Sequence, residues 1–344
     1  MTLPESATRM HAEAAQAAQA VRDQLFRNAE EMERLGERLR RLAPRSVITC
    51  ARGSSDHAAT FAKYMIETRL GIPTSSAAPS VSSIYDARPI LTGSVCLAIS
   101  QSGASPDLLT SVKKAREGGA LVVALVNAEG SALAGLADHA VPLCAGPETS
   151  VAATKSFIAS LAAIVHLVAS WTRGKALYDS LRRAPKQLEH AWQLDWSAAI
   201  EPLRPATDLY VVGRGLGLGV AQEAALKLKE TCGLHAEAVS AAELRHGPMA
   251  LVKAGFPVLI FSQNDEARAG IEMLAMELAS RQAAVMIAGS RCPQALQLPA
   301  EPADPAIEPM LLIQTFYRLV NALSLARGLD PDHPPHLRKV TETV

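Results

Sequence analysis

The chain has 344 residues, with 34 basic and 34 acidic side chains and a formal net charge of zero. A neutral chain has no overall field to attract nucleic acid or an anionic membrane, so a charged ligand would need a local site. Aromatic residues make up only 4% of the sequence, which argues against a surface for stacking bases.

The N-terminal region predicts a helix and no export signal. Residues 1–5 lack the basic and apolar pattern of a secretory signal peptide. Between residues 10 and 42, Ala, Leu and Met recur among Glu, Arg and Gln, which predicts one long helix within an N-terminal helical segment, 1–44. The five cysteines are scattered and odd in number, which is typical of a reducing compartment and not of a disulfide framework. We therefore predict a cytoplasmic protein.

Strands and helices alternate after residue 44. Residues 46–50, 95–99 and 120–126 are β-branched or apolar runs, and a helical pattern covers 106–117. Strands that are apolar on both faces predict a parallel sheet covered by helices on both sides, in a first domain at 45–175. The apolar run at 157–171 contains His166 and is expected to be too short to span a bilayer.

The second half of the chain repeats this course. Arg52-Gly53 recurs as Arg214-Gly215 (214 − 52 = 162), and the segment 97–101 matches 259–263 at the same shift. A helical connector at 176–204 separates the halves, a second domain covers 205–330, and a tail covers 331–344. The sequence therefore predicts two tandem α/β domains of doubly wound, flavodoxin-like type.

Two serine-rich loops follow strands of the first domain. Parallel sheets bind ligands beyond the carboxyl ends of their strands, and a helix N-terminus favours an anion. The second loop contains neither lysine nor arginine and only neutral donors, which indicates a compact phosphate monoester; helix caps are the alternative interpretation. The candidates are Ser54, Ser55, Ser100, Gln101, Ser102 and Ser105. In the second copy, Asp265 stands where the first copy has Gly103, which predicts that this copy has lost the anion site.

In the second half, ionisable residues concentrate in a predicted helix, away from the loop that matches the second serine-rich loop. Glu223, Lys227 and Glu230 are spaced i, i+4 and i+7, and so lie on one helix face. The pattern fits either catalytic groups or an exposed ladder of ion pairs. Cys232 and His235 have no further ligands at metal spacing, so we expect no metal site.

Several sequence blocks resemble the sugar isomerase (SIS) family, from about residue 10 to residue 341. The resemblance includes the isomerase half of glutamine–fructose-6-phosphate aminotransferases and the SIS-type glucosamine-6-phosphate deaminases. The matching blocks begin at Gly53, Ser100, Glu148, Ala225, His235, Glu243 and Leu337.

The resemblance implies roles for individual residues. The serines and Gln101 of the two loops would hold the phosphate, and the loop with Val151 and Ala153 would contact the sugar. Glu230 would move a proton between sugar carbons 1 and 2, assisted by Lys227 and Glu223 nearby. His246 would open the sugar ring from the neighbouring subunit of a homodimer. Lys339 in the tail would face the ketose carbonyl, and it either captures the C2 imine or leaves it to water. The resemblance implies no cofactor.

Two departures from the family pattern shape the expected activity. Ala153 replaces a serine of the sugar-contacting loop, and no glutaminase segment with its cysteine precedes the first domain. We therefore expect a glucosamine-6-phosphate deaminase that releases fructose 6-phosphate and ammonia. The alternatives are a synthase that uses free ammonia, another SIS isomerase or deglycase, and a non-catalytic sugar-phosphate sensor.

Overall fold

The computed structural model describes residues 7–339. Val340 and Thr341, which complete the last matching block, lie outside the described residues. The residues cluster into two compact units. The first-sheet unit contains 19–148, 155–182 and 338–339, and the second-sheet unit contains 7–18, 149–154 and 183–337.

The first-sheet unit contains a parallel sheet of five strands in the order β2-β1-β3-β4-β5. The strands are β1 (Val47–Cys50), β2 (Thr74–Ser76), β3 (Val95–Ser100), β4 (Leu121–Val126) and β5 (His139–Pro142). Its helices are α2 (Ala17–Leu42), α3 (Ser54–Leu70), α4 (Pro79–Ser83), α5 (Pro106–Glu117), α6 (Ala132–Leu136) and α7 (Lys155–Thr172), with the start of α8 (Lys175–Gln193). Every residue of β3 is buried, as expected for a central strand covered on both faces.

The second-sheet unit repeats this topology in the order β7-β6-β8-β9-β10. Its strands are β6 (Asp208–Gly213), β7 (His235–Ser240), β8 (Pro257–Phe261), β9 (Ala284–Ala288) and β10 (Leu296–Leu298). Its helices are α1 (Arg9–Ala14), most of α8, α9 (Ile200–Leu203), α10 (Gly217–Cys232), α11 (Arg268–Ser280) and α12 (Glu308–Ala326).

Strand register supports the duplication. Ile48 pairs with Cys96 in the first sheet, and Tyr210 pairs with Val258 in the second. Both residues of the second pair lie 162 positions after those of the first (210 − 48 and 258 − 96). The pairing of β1 with β2 recurs at the same shift, since Val47 faces Thr74 and Leu209 faces Ala236. The shared order and register confirm the predicted fold of two α/β sheets.

The predicted N-terminal helix is divided in two. Helix α1 ends at Ala14 and α2 begins at Ala17, so the predicted long helix is confirmed from Ala17 to Leu42, and only its continuity with the preceding residues is wrong. Tertiary contacts within the second-sheet unit fix α1 separately: Asp332 accepts hydrogen bonds from the backbone N–H groups of Arg9 and Met10 at 2.7 and 2.8 Å. Such long-range anchoring is invisible to helical periodicity.

Helix α7 corrects a second expectation. With 18 residues and its apolar composition, it is long enough to cross a membrane, contrary to the argument from residues 157–171. However, 89% of this stretch is buried inside the protein. The burial, and not the length, identifies α7 as a core helix.

Candidate active site

The two serine-rich loops of the first-sheet unit follow neighbouring strands. β1 and β3 pair directly, so both loops leave the sheet at the same edge. Ser54 and Ser55 open α3, Ser100 ends β3, and Ser105 precedes α5. The side chains of Ser55, Gln101, Ser102 and Ser105 are partly exposed, and Ser100 is buried. The topology therefore brings the predicted phosphate ligands to one edge of one sheet.

Gly103 makes the tight turn in the second loop. Its φ angle is +61°, and a Cβ atom at this position would lie 2.2 Å from the Ser131 Oγ atom. Its backbone N–H donates to the Ser100 Oγ atom at 2.9 Å. Only glycine combines this φ angle with so close an approach, so the loop conformation depends on Gly103.

The helix N-terminus of α5 is less available to an anion than the sequence suggested. Pro106 has no N–H group, and the Leu108 N–H donates to the Asp107 carboxylate at 2.7 Å. Asp107 is buried, and its charge is balanced by Arg52, whose Nε and Nη2 atoms lie 2.8 and 2.6 Å from one carboxylate oxygen. The accessible donors are consequently the side chains of the loops: Ser55, Gln101, Ser102 and Ser105.

The matching edge of the second sheet is closed by its own side chains. Leu216 and Gly217 replace Ser54 and Ser55 at the shift of 162. Gln263 is buried, and its Nε2 atom donates to the Arg214 carbonyl and to the Asp265 carboxylate, both at 2.8 Å. Asp265 also accepts from the Ala267 N–H at 2.9 Å, near the start of α11. A carboxylate therefore occupies the place of an anion, which agrees with the predicted loss of this site.

Helix α10 carries the predicted acid–base cluster. The Lys227 Nζ atom lies 2.6 Å from Glu230 Oε2 and 3.4 Å from Glu223 Oε1. The side chains of Glu223 and Lys227 are 0% and 1% exposed, whereas that of Glu230 is 17% exposed. An exposed ladder of ion pairs is thereby excluded. Glu230 is the member of the cluster that a ligand can reach.

Lys227 is held in its charged form. Burial acts to lower the pKa of Lys227, but the charges of Glu223 and Glu230 outweigh it, so the pKa is raised above its ordinary value. The Tyr317 hydroxyl donates to Glu223 Oε1 at 3.3 Å within the buried part of the unit. Tyr317 lies 94 residues from Glu223 and was missed by the sequence analysis, because no local pattern links the two.

The other candidate residues lie outside the α10 cluster. His246 ends a 3-10 turn, Glu243–His246, and is exposed; no hydrogen bond or ion pair of its side chain is found within residues 7–339. In the first-sheet unit, Lys339 Nζ lies 3.3 Å from Glu148 Oε2. Glu148 also accepts from the Ser156 N–H and hydroxyl near the start of α7, at 3.1 and 2.6 Å. Val151 and Ala153 are partly exposed.

Comparison with protein-family models identifies the family of this chain. The model of the SIS domain matches residues 43–170 and 202–289, which is more than half of the chain. The chain belongs to the SIS domain family. The two matched ranges contain the two sheets, with the exception of β10.

Relatives with known names are consistent with the SIS assignment. A glutamine–fructose-6-phosphate aminotransferase (isomerizing) from Methanothermobacter thermautotrophicus is 35% identical over 83% of this SIS chain and 50% of its own length. The corresponding protein of Aeropyrum pernix is 36% identical over 85% of this chain and 50% of its own. This chain thus spans about half the length of the curated relatives it matches.

Solved structures share the fold. A protein from Silicibacter pomeroyi DSS-3, provisionally named a phosphosugar isomerase, has a TM-score of 0.91 and 42% identity, covering 94% of this chain and 100% of its own. The glucosamine-6-phosphate deaminase of Thermotoga maritima has a TM-score of 0.73 at 22% identity, covering 95% of this chain and 100% of its own; this likeness shows the fold alone. Together these similarities support a sugar-phosphate isomerase in general terms.

Proposed function

We propose that this chain converts glucosamine 6-phosphate and water into fructose 6-phosphate and ammonia. The observation that carries the proposal is the buried trio on α10, in which only Glu230 is accessible and Lys227 holds a positive charge against it. The curated relatives are named for a reaction at fructose 6-phosphate that includes isomerisation. A proton transfer between neighbouring sugar carbons needs one accessible carboxylate, which Glu230 provides.

In the proposed reaction, His246 transfers the proton that opens the sugar ring. Glu230 removes the proton from C2 of the open aldose while the C1 oxygen takes up a proton from solvent, and an enolamine forms. Glu230 then returns its proton to C1, which leaves a protonated imine at C2. Water adds to the imine carbon and passes one proton to the nitrogen, the C–N bond breaks, and ammonia leaves as the C2 carbonyl forms and the water's other proton returns to solvent. The Lys227 ammonium stabilises the Glu230 carboxylate before the first transfer and after the second, when Glu230 is ionised.

The loop and the tail hold the substrate in this proposal. The hydroxyl and amide donors around Gly103 bind the phosphate group. Lys339, paired with Glu148 at 3.3 Å, presents its ammonium to the oxygen that develops at C2. An ammonium bound to a buried carboxylate is a poor nucleophile, which favours attack by water over a Schiff base on Lys339.

The source of the nitrogen is proposed from the cysteines. Taking nitrogen from glutamine requires a reactive thiolate, which occurs where the thiol pKa is lowered. Burial raises the pKa of Cys50, and it raises the pKa of both Cys96 and Cys232 to about 12. Burial also raises the pKa of Cys144, and Cys292 is buried. The four thiols with raised pKa values are therefore unsuited to that role, and the chain is proposed to exchange free ammonia.

Ammonia release from glucosamine 6-phosphate tests the proposal, with galactosamine 6-phosphate assayed beside it. The Glu230→Gln variant should lose turnover by at least about 10²-fold, the low end for removal of a general acid–base group, while its affinity for fructose 6-phosphate stays within about twofold. Glu237→Gln, an exposed change on β7, is the matched control and should keep full turnover. Near-normal turnover of Glu230→Gln would refute the assignment, and release from the galactosamine ester alone would refute the substrate.

A further inference from the structure

A cleft in the second-sheet unit has no part in the proposed reaction. It has a volume of about 560 Å³ and lies where β8, β9 and β10 end. Its walls include Ser262 after β8, residues 289–291 after β9 and residues 299–302 after β10. This volume falls within the usual range of small-molecule sites, and the ends of parallel strands are a frequent location for them.

Three of the four charged groups in the cleft lining have polar partners among the described residues. Glu308 accepts from the backbone N–H groups of Asn264 and Ala303, and Glu301 lies 3.6 Å from the His190 ring. Arg268 donates to the Asn264 side chain at 2.7 Å and pairs with Glu272 at 3.2 Å, on the same helix.

Arg291, the remaining charged group of the lining, is exposed. In the part of the chain that the structure describes, its guanidinium forms no hydrogen bond or ion pair. An anionic group of a ligand would give this guanidinium a charge-assisted hydrogen-bond partner.

Ser262 supplies an independent indication of a ligand. The residue is fully buried and belongs to the lining of the cleft, and its Oγ atom has no hydrogen-bond partner among the described residues. A buried hydroxyl without a partner is unfavourable, and a hydrogen bond to a ligand oxygen would relieve this cost.

The two copies of the fold differ in charge at this position. Arg291 corresponds to Glu129 at the shift of 162 (291 − 129). Glu129 is bound by Arg27 through two contacts of 2.6 Å, so the first copy has an occupied carboxylate where the second has a free guanidinium. Conversely, Gly103 of the first copy corresponds to Asp265 of the second. The position suited to an anion has therefore moved by one strand between the copies.

We propose that this cleft binds a phosphorylated sugar as a second, non-catalytic ligand. The phosphate group pairs with Arg291 and accepts from the Ser262 hydroxyl. The sugar hydroxyls donate to the carboxylates of Glu301 and Glu308. A lone phosphate ion would leave most of the cleft empty and these carboxylates facing another anion.

Equilibrium dialysis with radiolabelled fructose 6-phosphate tests the proposal by counting bound sugar per chain. The unaltered chain should bind about two molecules, and Arg291→Glu, which installs the charge of the first copy, should bind about one. Ser102→Asp should also reduce the count to about one, by closing the phosphate loop, and the double variant should bind none. Arg281→Glu, an exposed charge reversal in the same unit, is the control and should still bind two.

The outcomes separate the two sites. Two bound sugars in Arg291→Glu, or one in the unaltered chain and in Arg291→Glu alike, would overturn the second site. A count that falls with Arg291→Glu but not with Ser102→Asp would retain the second site and overturn the phosphate loop. In Ser102→Asp, inorganic phosphate should bind at least about tenfold more weakly than fructose 6-phosphate, because it makes no contacts to the carboxylates. Equal affinity would reduce the cleft to a simple anion site and reject the proposal.

Discussion

Lys227 lies between two carboxylates in an environment that excludes water. Its side chain is 1% exposed, and that of its partner Glu223 is fully buried. Removing one partner of such a pair leaves the other charge without compensation, at a cost of about 3–5 kcal/mol. Lys227→Met should therefore lower the free energy of unfolding by about that amount in chemical denaturation.

A second substitution distinguishes lost charge balance from lost packing. Glu223→Gln combined with Lys227→Met removes both charges and should recover most of the stability, since neutral pairs need no compensation. Lys229→Met changes an exposed lysine of the same helix and should stay within about 0.5 kcal/mol of the unaltered chain. A double variant as unstable as Lys227→Met would assign the loss to packing.

Gly103 sets the conformation of the phosphate loop. Gly103→Ala combines a strained φ of +61° with a clash against Ser131, so the loop must move. The affinity for fructose 6-phosphate, measured by equilibrium dialysis, should fall at least about tenfold, since a displacement of about 1 Å misplaces several donors. Gly130→Ala is the matched control, because its Cβ atom would have no heavy atom within 4 Å. Equal affinities of the two variants would show that the loop does not depend on Gly103.

At the scale of secondary-structure elements, helix α7 contains a buried histidine. The Nδ1 atom of His166 has no hydrogen-bond partner among the described residues, and burial lowers the pKa of His166 from 6.5 to about 4. Between pH 6.5 and 4, the unfolded chain binds a proton that the folded chain does not. The free energy of unfolding therefore decreases as the pH falls through this window, by at most about 3 kcal/mol.

Replacing the imidazole should remove this pH dependence. Denaturation of the His166→Phe variant at pH 7 and pH 4 should show a loss smaller by up to about 3 kcal/mol than that of the unaltered chain. His235→Gln alters an exposed histidine on β7 and should behave like the unaltered chain. Identical pH slopes in His166→Phe and the unaltered chain would show that folding does not lower the pKa of His166.

Elements that form through local interactions could be predicted from the sequence, and features that depend on long-range contacts could not. The predicted strands at 46–50, 95–99 and 120–126 and the helix at 106–117 are confirmed, because apolar runs and helical spacing are local. The break after Ala14 and the placement of His235 and Glu237 on strand β7 were not predicted, since sheet pairing and the Asp332 contacts are long-range. The predicted domain boundaries stay predictions.

At the scale of the whole molecule, duplication explains why the two groups of candidate residues belong to different sheets. Both sheets share one topology, yet the serines remain in the first copy and the buried charges belong to the second. The shift of 162 and the charge on Asp265 could be read from the sequence. The Gln263 contacts that close the second loop could not, because they depend on the position of the Arg214 carbonyl in three dimensions.

The proposed homodimer makes a prediction that only a mixture of chains can test. His246 is exposed and has no side-chain partner in the described part of its own chain, which fits a residue that acts in a neighbouring subunit. In a two-fold dimer, each site would then combine Glu230 of one chain with His246 of the other. Glu230→Gln and His246→Ala should each be inactive alone.

Unfolded and refolded together in equal amounts, the two inactive variants form mixed dimers in half of all cases. One site of each mixed dimer keeps both Glu230 and His246, so about a quarter of the original ammonia release should return. Mixing Glu230→Gln with Lys227→Met is the control and should restore nothing, because both residues belong to the same α10 helix and every site lacks one of them. If His246 acts within its own chain, each site of a mixed dimer lacks one essential group, and the mixture will be as inactive as its components.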